Sequence, residues 1–170
     1  MEKSKTGPTY PFRIRYITLP AAVLLISVIL VLIFYTRLPD TVAYRFLADG
    51  SPWKYVSRST VLLWMLGPQF LFALAAALVA GSIIRMANRF IEPDTAIINP
   101  ERIILLMGNM PAMPQAIFLF AMLDIFSYNS YQVHLPPVWI FAVVIMVLGG
   151  IIISTFSFRA IRLVWKSNKE

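Results

Sequence analysis

Four apolar runs dominate the pattern of the chain, at about 17–35, 60–84, 102–126 and 138–158. Each is roughly twenty residues long, and a helix of that length spans a hydrocarbon layer of roughly 30 Å. The shorter segments between them carry most of the charged and turn-forming residues. The pattern therefore predicts an all-α integral membrane protein with four transmembrane helices.

Composition agrees with this prediction and narrows the chemistry. Of 170 residues, 59% are hydrophobic and 14% are charged, whereas soluble domains carry about 25% charged residues. The lack of cysteine excludes disulfides and zinc–thiolate sites. The net charge of +7 comes mostly from basic residues near the helix ends, where such residues meet anionic lipid. We therefore expect the lipid bilayer, and not nucleic acid, as a partner.

The basic residues also predict the orientation of the chain. Eleven of the fifteen lie in the two termini and in the stretch from Arg85 to Arg102, in and directly beside the connector between the second and third spans. By the positive-inside rule both termini are predicted to be cytoplasmic, with the loops at 36–59 and 127–137 extracellular. The predicted organisation is a cytoplasmic tail at 1–16, a helix–loop–helix unit at 17–85, a cytoplasmic connector at 86–101, a second helix pair at 102–158 and a basic cytoplasmic tail at 159–170.

Two spans carry features that indicate contacts beyond lipid. In the second span, Ala73, Ala77 and Gly81 are four residues apart and form a helix-packing face, which serves packing within the chain or association with another subunit. The third span is interrupted by prolines and by Asn109 and Gln115. These amides are expected to hydrogen-bond to neighbouring helices, and the alternative is a transport path through a broken helix.

No set of residues forms a catalytic or metal-binding pattern. His134 lies beside two prolines with no serine or cysteine nucleophile in a suitable context, so a solvated or interfacial histidine is expected. Asp124 is expected at the membrane interface. The methionines of the third span have a spacing that favours packing over a Cu(I) site. We therefore predict a non-enzymatic protein without a cofactor or a metal.

The loop between the first two spans is more elaborate than a connector requires. Asp40 follows a Leu-Pro pair and is placed to cap a turn, and in the pair Asp49-Gly50 the glycine is free to adopt positive φ. Residues 41–46 alternate in a way that favours a short extended segment. Ser57 is placed to cap the second helix. A short ordered extracellular cap is predicted, which serves as a structural cover or as a recognition surface.

The same loop resembles the signature of a prokaryotic membrane-domain family of unknown function, found at the N-terminus of SdpI-type immunity proteins. The family pattern reads approximately Leu-Pro-Asp-x-Val-Pro-x-His-Phe-Asn-x-x-Gly-x-Pro-Asp-x-Trp-Gly-Ser-Lys, and residues 38–58 align with it without a gap. Arg45 stands in place of the family's histidine and Trp53 in place of its second aspartate. The matching residues, mostly turn-forming, are Leu38, Pro39, Asp40, Val42, Phe46, Gly50, Pro52 and Ser57.

This resemblance implies a location in the plasma membrane of a prokaryote and a recognition or immunity function for the outer loop. We expect Arg45 and Trp53 to be the more exposed of the candidate binding residues. The others, which are expected to shape the backbone, are Asp40, Asp49, Gly50 and Pro52. The alternative is an accessory or structural subunit of a larger membrane complex, with a protein partner or self-association through the second helix or the outer loop. A small transporter is the less favoured third hypothesis.

Overall fold

The computed structural model describes residues 10–90 and 99–167, and the four predicted spans are confirmed. Four helical segments are long and apolar enough to cross a membrane, as expected of a multi-pass membrane protein. They are Ile14–Phe34, Arg58–Phe90, Pro100–Tyr131 and Val138–Arg162. The helices themselves are α1 (Thr18–Phe34), α2 (Arg58–Phe90), α3 (Pro100–Asn109), α4 (Ala112–Tyr131) and α5 (Val138–Ser167), with a 3-10 turn at Ile14–Ile17 before α1.

The loop between α1 and α2 folds as an antiparallel hairpin of β1 (Thr41–Phe46) and β2 (Pro52–Ser57). The extended segment predicted at 41–46 is confirmed, and it pairs with a second strand that the pattern did not indicate. β-Branched and aromatic side chains favour this pleated pairing, in which Val42 lies opposite Val56. In the connecting turn Gly50 has a φ of 83°, the left-handed conformation that glycine adopts without strain.

Three helical elements differ from their predicted boundaries. α2 continues to Phe90, beyond its predicted end at 84. α4 continues to Tyr131, into the loop predicted at 127–137, and α5 continues to Ser167, into the segment predicted as a tail. The third span is two helices that meet at Met110 and Pro111, because Pro111 and Pro114 lack N–H groups to continue the helical hydrogen bonds. The predicted interruption of this span is confirmed. Parts of the predicted tails and connector, at 1–9, 91–98 and 168–170, lie outside the described residues.

The spans pack around two buried clusters, one at each end of the bundle. The larger lies at the end that carries the hairpin and contains Val42 of β1 and Phe126 of α4. The smaller lies at the opposite end, around Tyr16 and Ala80. A Cβ at Gly108 of α3 would collide with the backbone of Tyr16 and lie 3.2 Å from the Cβ of Ala80, so this close helix approach requires glycine. α5 packs mainly on α4 and leaves most of its surface exposed.

Amide side chains join the helices within the apolar interior. Gln115 Nε2 donates to the carbonyl oxygens of Gln69 (3.0 Å) and Pro20 (3.4 Å), and Gln69 Nε2 donates to the carbonyl of Gln115 (3.2 Å). Asn109 Oδ1 accepts from the N–H of Leu19 in the first turn of α1 (2.8 Å). The prediction that Asn109 and Gln115 hydrogen-bond to neighbouring helices is therefore confirmed.

Candidate functional site

Arg58 fixes the base of the hairpin to the ends of two helices. Its guanidinium donates to the carbonyl oxygens of Leu38 (3.0 Å) and Tyr35 (3.3 Å), and it pairs with the carboxylate of Asp40 at 3.1 Å. The Asp40 side chain is 94% exposed, so solvent screens this ion pair and the carbonyl contacts matter more. They satisfy two backbone carbonyl groups in the turn that follows α1. Arg58 therefore determines how the hairpin leaves the bundle.

Asn129 of α4 holds the free edge of β1. Its Oδ1 accepts from the N–H of Ala43, and its Nδ2 donates to the carbonyl of the same residue, both at 2.8 Å. The side-chain amide thus pairs with Ala43 in the way that a further strand would, and Ala43 is buried. A third bond, from Nδ2 to the carbonyl of Ile125 at 2.8 Å, fixes the amide on its own helix.

His134, in the segment between α4 and α5, contacts the turn of the hairpin. Its Nε2 lies 3.1 Å from the carbonyl oxygen of Gly50, and its Nδ1 lies 3.5 Å from Oδ1 of Asp124. The ring stacks on Tyr128 and meets the ring of Phe46 edge-on, each with centroids 4.5 Å apart. Both ring nitrogens of His134 therefore face oxygen atoms, one on the hairpin and one on α4. The histidine that the sequence indicated as solvated or interfacial therefore bonds the hairpin to α4.

The turn of the hairpin is ordered by its own side chains. Asp49 Oδ1 accepts from the Ser51 hydroxyl (2.7 Å) and from the Ser51 N–H (2.9 Å). These bonds, the hydroxyl first, stabilise the carboxylate and lower the pKa of Asp49 below its ordinary value. The N–H of Leu47 donates to the carbonyl of Ser51 at 2.8 Å and closes the turn.

The exposed surface of the hairpin carries a basic–aromatic patch, defined here as Arg45, Trp53, Lys54 and Tyr55. The Arg45 guanidinium lies 5.1 Å and the Lys54 ammonium 4.8 Å from the centroid of the Trp53 ring, within the range of cation–π attraction. Trp53 is 53% exposed and Tyr55 57%. Over residues 10–90 and 99–167, neither cation has a carboxylate within 4 Å. Two adjacent positive charges are thus held at the surface against one exposed ring.

The structure distributes the predicted binding residues over three parts of the hairpin. Arg45 and Trp53 lie together in the patch, both exposed as expected, whereas Asp40 lies at the base beside Arg58. Asp49 and Gly50 form the turn, and half-buried Pro52 begins β2 opposite Phe46. Sequence reasoning did not assign Lys54, Asn129 or Arg58 to the site. The sequence signal that could have identified Asn129 is its own position, since it is a polar residue near the outer end of an apolar span.

The predicted packing face of α2 lies beside the buried face of that helix. Ala73 and Ala77 are half-buried, and a Cβ at Gly81 would meet open space. The buried small residues are Ala76 and Ala80, and Ala80 receives Gly108. Contact within the chain therefore uses the adjacent stripe, and the face that ends at Gly81 stays accessible.

The arrangement is an ordered hairpin with an exposed basic–aromatic patch, held by a bundle of apolar helices. In the part of the chain that the structure describes, no three His, Asp or Glu side chains are grouped to hold a metal ion. Comparisons with protein-family models, with curated proteins and with solved structures find no match for this chain.

Proposed function

We propose that this chain is a non-enzymatic membrane protein of the SdpI-like class whose β-hairpin recognises a partner at the outer membrane surface, in recognition or immunity. The observation that carries this proposal is the pairing of Arg45 and Lys54 over the exposed ring of Trp53. The proposed location is the plasma membrane of a prokaryote, with both termini cytoplasmic. The excess of basic residues at the end opposite the hairpin supports that orientation.

Anchoring of the hairpin supports a recognition role over a passive connector. A two-stranded hairpin is marginally stable by itself in water, and here Arg58, Asn129 and His134 hold its base, its edge and its turn. A surface that is ordered before binding loses less conformational entropy when a partner binds. The exposed patch is therefore presented in one orientation.

The composition of the patch indicates the chemistry of the partner. Tryptophan, tyrosine and arginine are enriched among the residues that dominate binding energy at interfaces. The two cations have no carboxylate within 4 Å among the described residues, so carboxylates on a partner can form ion pairs with them. We propose a protein or peptide with acidic and apolar groups at its contact surface.

Site-specific photo-crosslinking in native membranes tests this proposal. A photoreactive residue at Tyr55 is expected to give one dominant protein adduct, and the pair Arg45→Ala and Lys54→Ala is expected to reduce its yield at least tenfold. The matched control is Arg37→Ala, which removes another cation that lies over a ring (5.6 Å from the ring centroid of Tyr131) but is outside the hairpin. No adduct above background, or an equal loss with Arg37→Ala, would overturn the proposal.

The accessory-subunit hypothesis rests on a different observation, the open space at Gly81 beside half-buried Ala77. Close helix approach through this face would bring a second helix against α2. Replacing Gly81 with leucine is expected to dissociate such a complex while the hairpin crosslink persists. If the native size of the protein in mild detergent is the same with and without this substitution, the hypothesis loses its support.

A further inference from the structure

A cavity of about 360 Å³ lies between α3 and α5, at the end of the bundle opposite the hairpin. It arises because the third span is broken at Met110 and Pro111. α5 packs on α4, whereas α3, on the other side of the break, packs on α2 and on the 3-10 turn before α1. The two helices therefore separate and leave a space that is partly open at the side of the bundle.

Two arginines from different helices line this cavity, Arg102 of α3 and Arg159 of α5. Within the described residues, neither has a carboxylate within 4 Å. Glu101, which is adjacent to Arg102 in sequence, pairs instead with Arg13 (3.2 Å) and with Arg15. The nearby acid is thus already paired with the two arginines that precede α1, and not with the arginines that line the cavity.

The depth and walls of the cavity match the profile of one membrane leaflet. Arg159 lies 21 residues after Val138, a helical rise of roughly 32 Å, which is about one hydrocarbon thickness. The arginines therefore lie at headgroup level when Val138 lies at the other surface. The large apolar lining residues are placed on the membrane-centre side of the arginines on both helices, namely Leu105, Leu106, Ile152 and Phe156.

We propose that this cavity binds one anionic phospholipid, with its phosphate between Arg102 and Arg159 and part of an acyl chain along the apolar walls. Guanidinium groups bind phosphate through paired, charge-assisted hydrogen bonds, and basic pockets between transmembrane helices suit anionic headgroups. A volume of about 360 Å³ is at the low end for small-molecule sites, which fits a headgroup with part of one chain. The bound lipid links α5 to α3, two helices that are otherwise joined through α4.

Native mass spectrometry of the purified full chain tests this inference. The protein in neutral detergent is incubated with phosphatidylglycerol, with phosphatidylcholine of the same chains, or with glycerol 3-phosphate. We expect one phosphatidylglycerol to be retained at least tenfold more than phosphatidylcholine, and glycerol 3-phosphate not to be retained. The double variant Arg102→Gln and Arg159→Gln is expected to lose this preference.

The matched control is the double variant Arg85→Gln and Arg162→Gln, which removes two exposed arginines that do not line the cavity. Equal retention of the two lipids, retention of glycerol 3-phosphate at the lipid's level, or equal loss in both double variants would overturn the inference.

Thr155→Trp fills the cavity without a change of charge, so it keeps the test valid if the arginine pair is needed for folding. It is expected to lower phosphatidylglycerol retention tenfold, and unchanged retention would likewise contradict the proposed site.

Discussion

Replacing Asn129 with alanine removes both hydrogen bonds that join Ala43 of β1 to α4. Ala43 is 1% exposed, so its N–H and its carbonyl on the strand edge lose their partner where water has little access. An unsatisfied buried polar group costs about 1–3 kcal/mol. Two such penalties sum to about 2–6 kcal/mol, and water that enters at the loosened edge strand reduces them. We therefore expect the free energy that holds the hairpin on the bundle to fall by about 2–4 kcal/mol.

Hydrogen–deuterium exchange of the protein in lipid nanodiscs measures this loss directly. At 1.4 kcal/mol for each tenfold change, the amides of β1 should exchange about 30- to 700-fold faster. The control is Asn88→Ala, because Asn88 pairs in the same two-bond way with the exposed backbone of Tyr10, at 2.8 and 3.3 Å. That variant should leave the hairpin unchanged. Equal exchange rates of the β1 amides in Asn129→Ala and in the wild type would refute this expectation.

Three further predictions concern backbone geometry and pH. Gly108→Ala should lower the melting temperature clearly, because its Cβ collides with the backbone of Tyr16, whereas Gly81→Ala should change it little because its Cβ meets open space; equal shifts would contradict this packing. Gly50→Ala should weaken the hairpin by about 1–2 kcal/mol, since φ of 83° strains a residue with a Cβ, and unchanged exchange of the turn amides would contradict it. The lowered pKa of Asp49 means that its contribution is complete above the ordinary pKa of aspartate and is lost as the pH falls through the lowered pKa. In strong acid, the hydrogen-exchange protection of the turn amides around Asp49 should therefore decrease more in the wild type than in the Asp49→Asn variant. Equal pH profiles of protection in the two proteins would exclude this linkage.

The parts of the fold that depend on local pattern could be predicted from the sequence. Apolar run length gives the four spans, and the prolines give the break in the third. The alternation at 41–46 and the Asp49-Gly50 pair give one strand and its turn. The second strand was not indicated, because Tyr55 and Val56 are consecutive apolar residues and interrupt the alternation that predicts a half-buried strand.

The parts that depend on tertiary approach could not be predicted. Asn129 and Ala43 are 86 residues apart, and nothing local to either residue indicates the other. Lipid-facing and protein-facing positions are both apolar in a membrane helix, so hydropathy does not show that α5 packs mainly on α4. The cavity between Arg102 and Arg159 follows from that packing and from the break in the third span. It therefore becomes visible only in the folded chain.

Accessibility of the hairpin in intact cells tests the central claim, that the basic–aromatic patch faces a partner outside the cell. The chain has no cysteine, so single variants Tyr55→Cys and Ile161→Cys each carry one thiol at an exposed position. A membrane-impermeant maleimide should label the Tyr55→Cys variant in intact cells and the Ile161→Cys variant only after permeabilisation. Labelling of Ile161→Cys in intact cells, with Tyr55→Cys protected, would contradict the proposed orientation and the recognition role that depends on it.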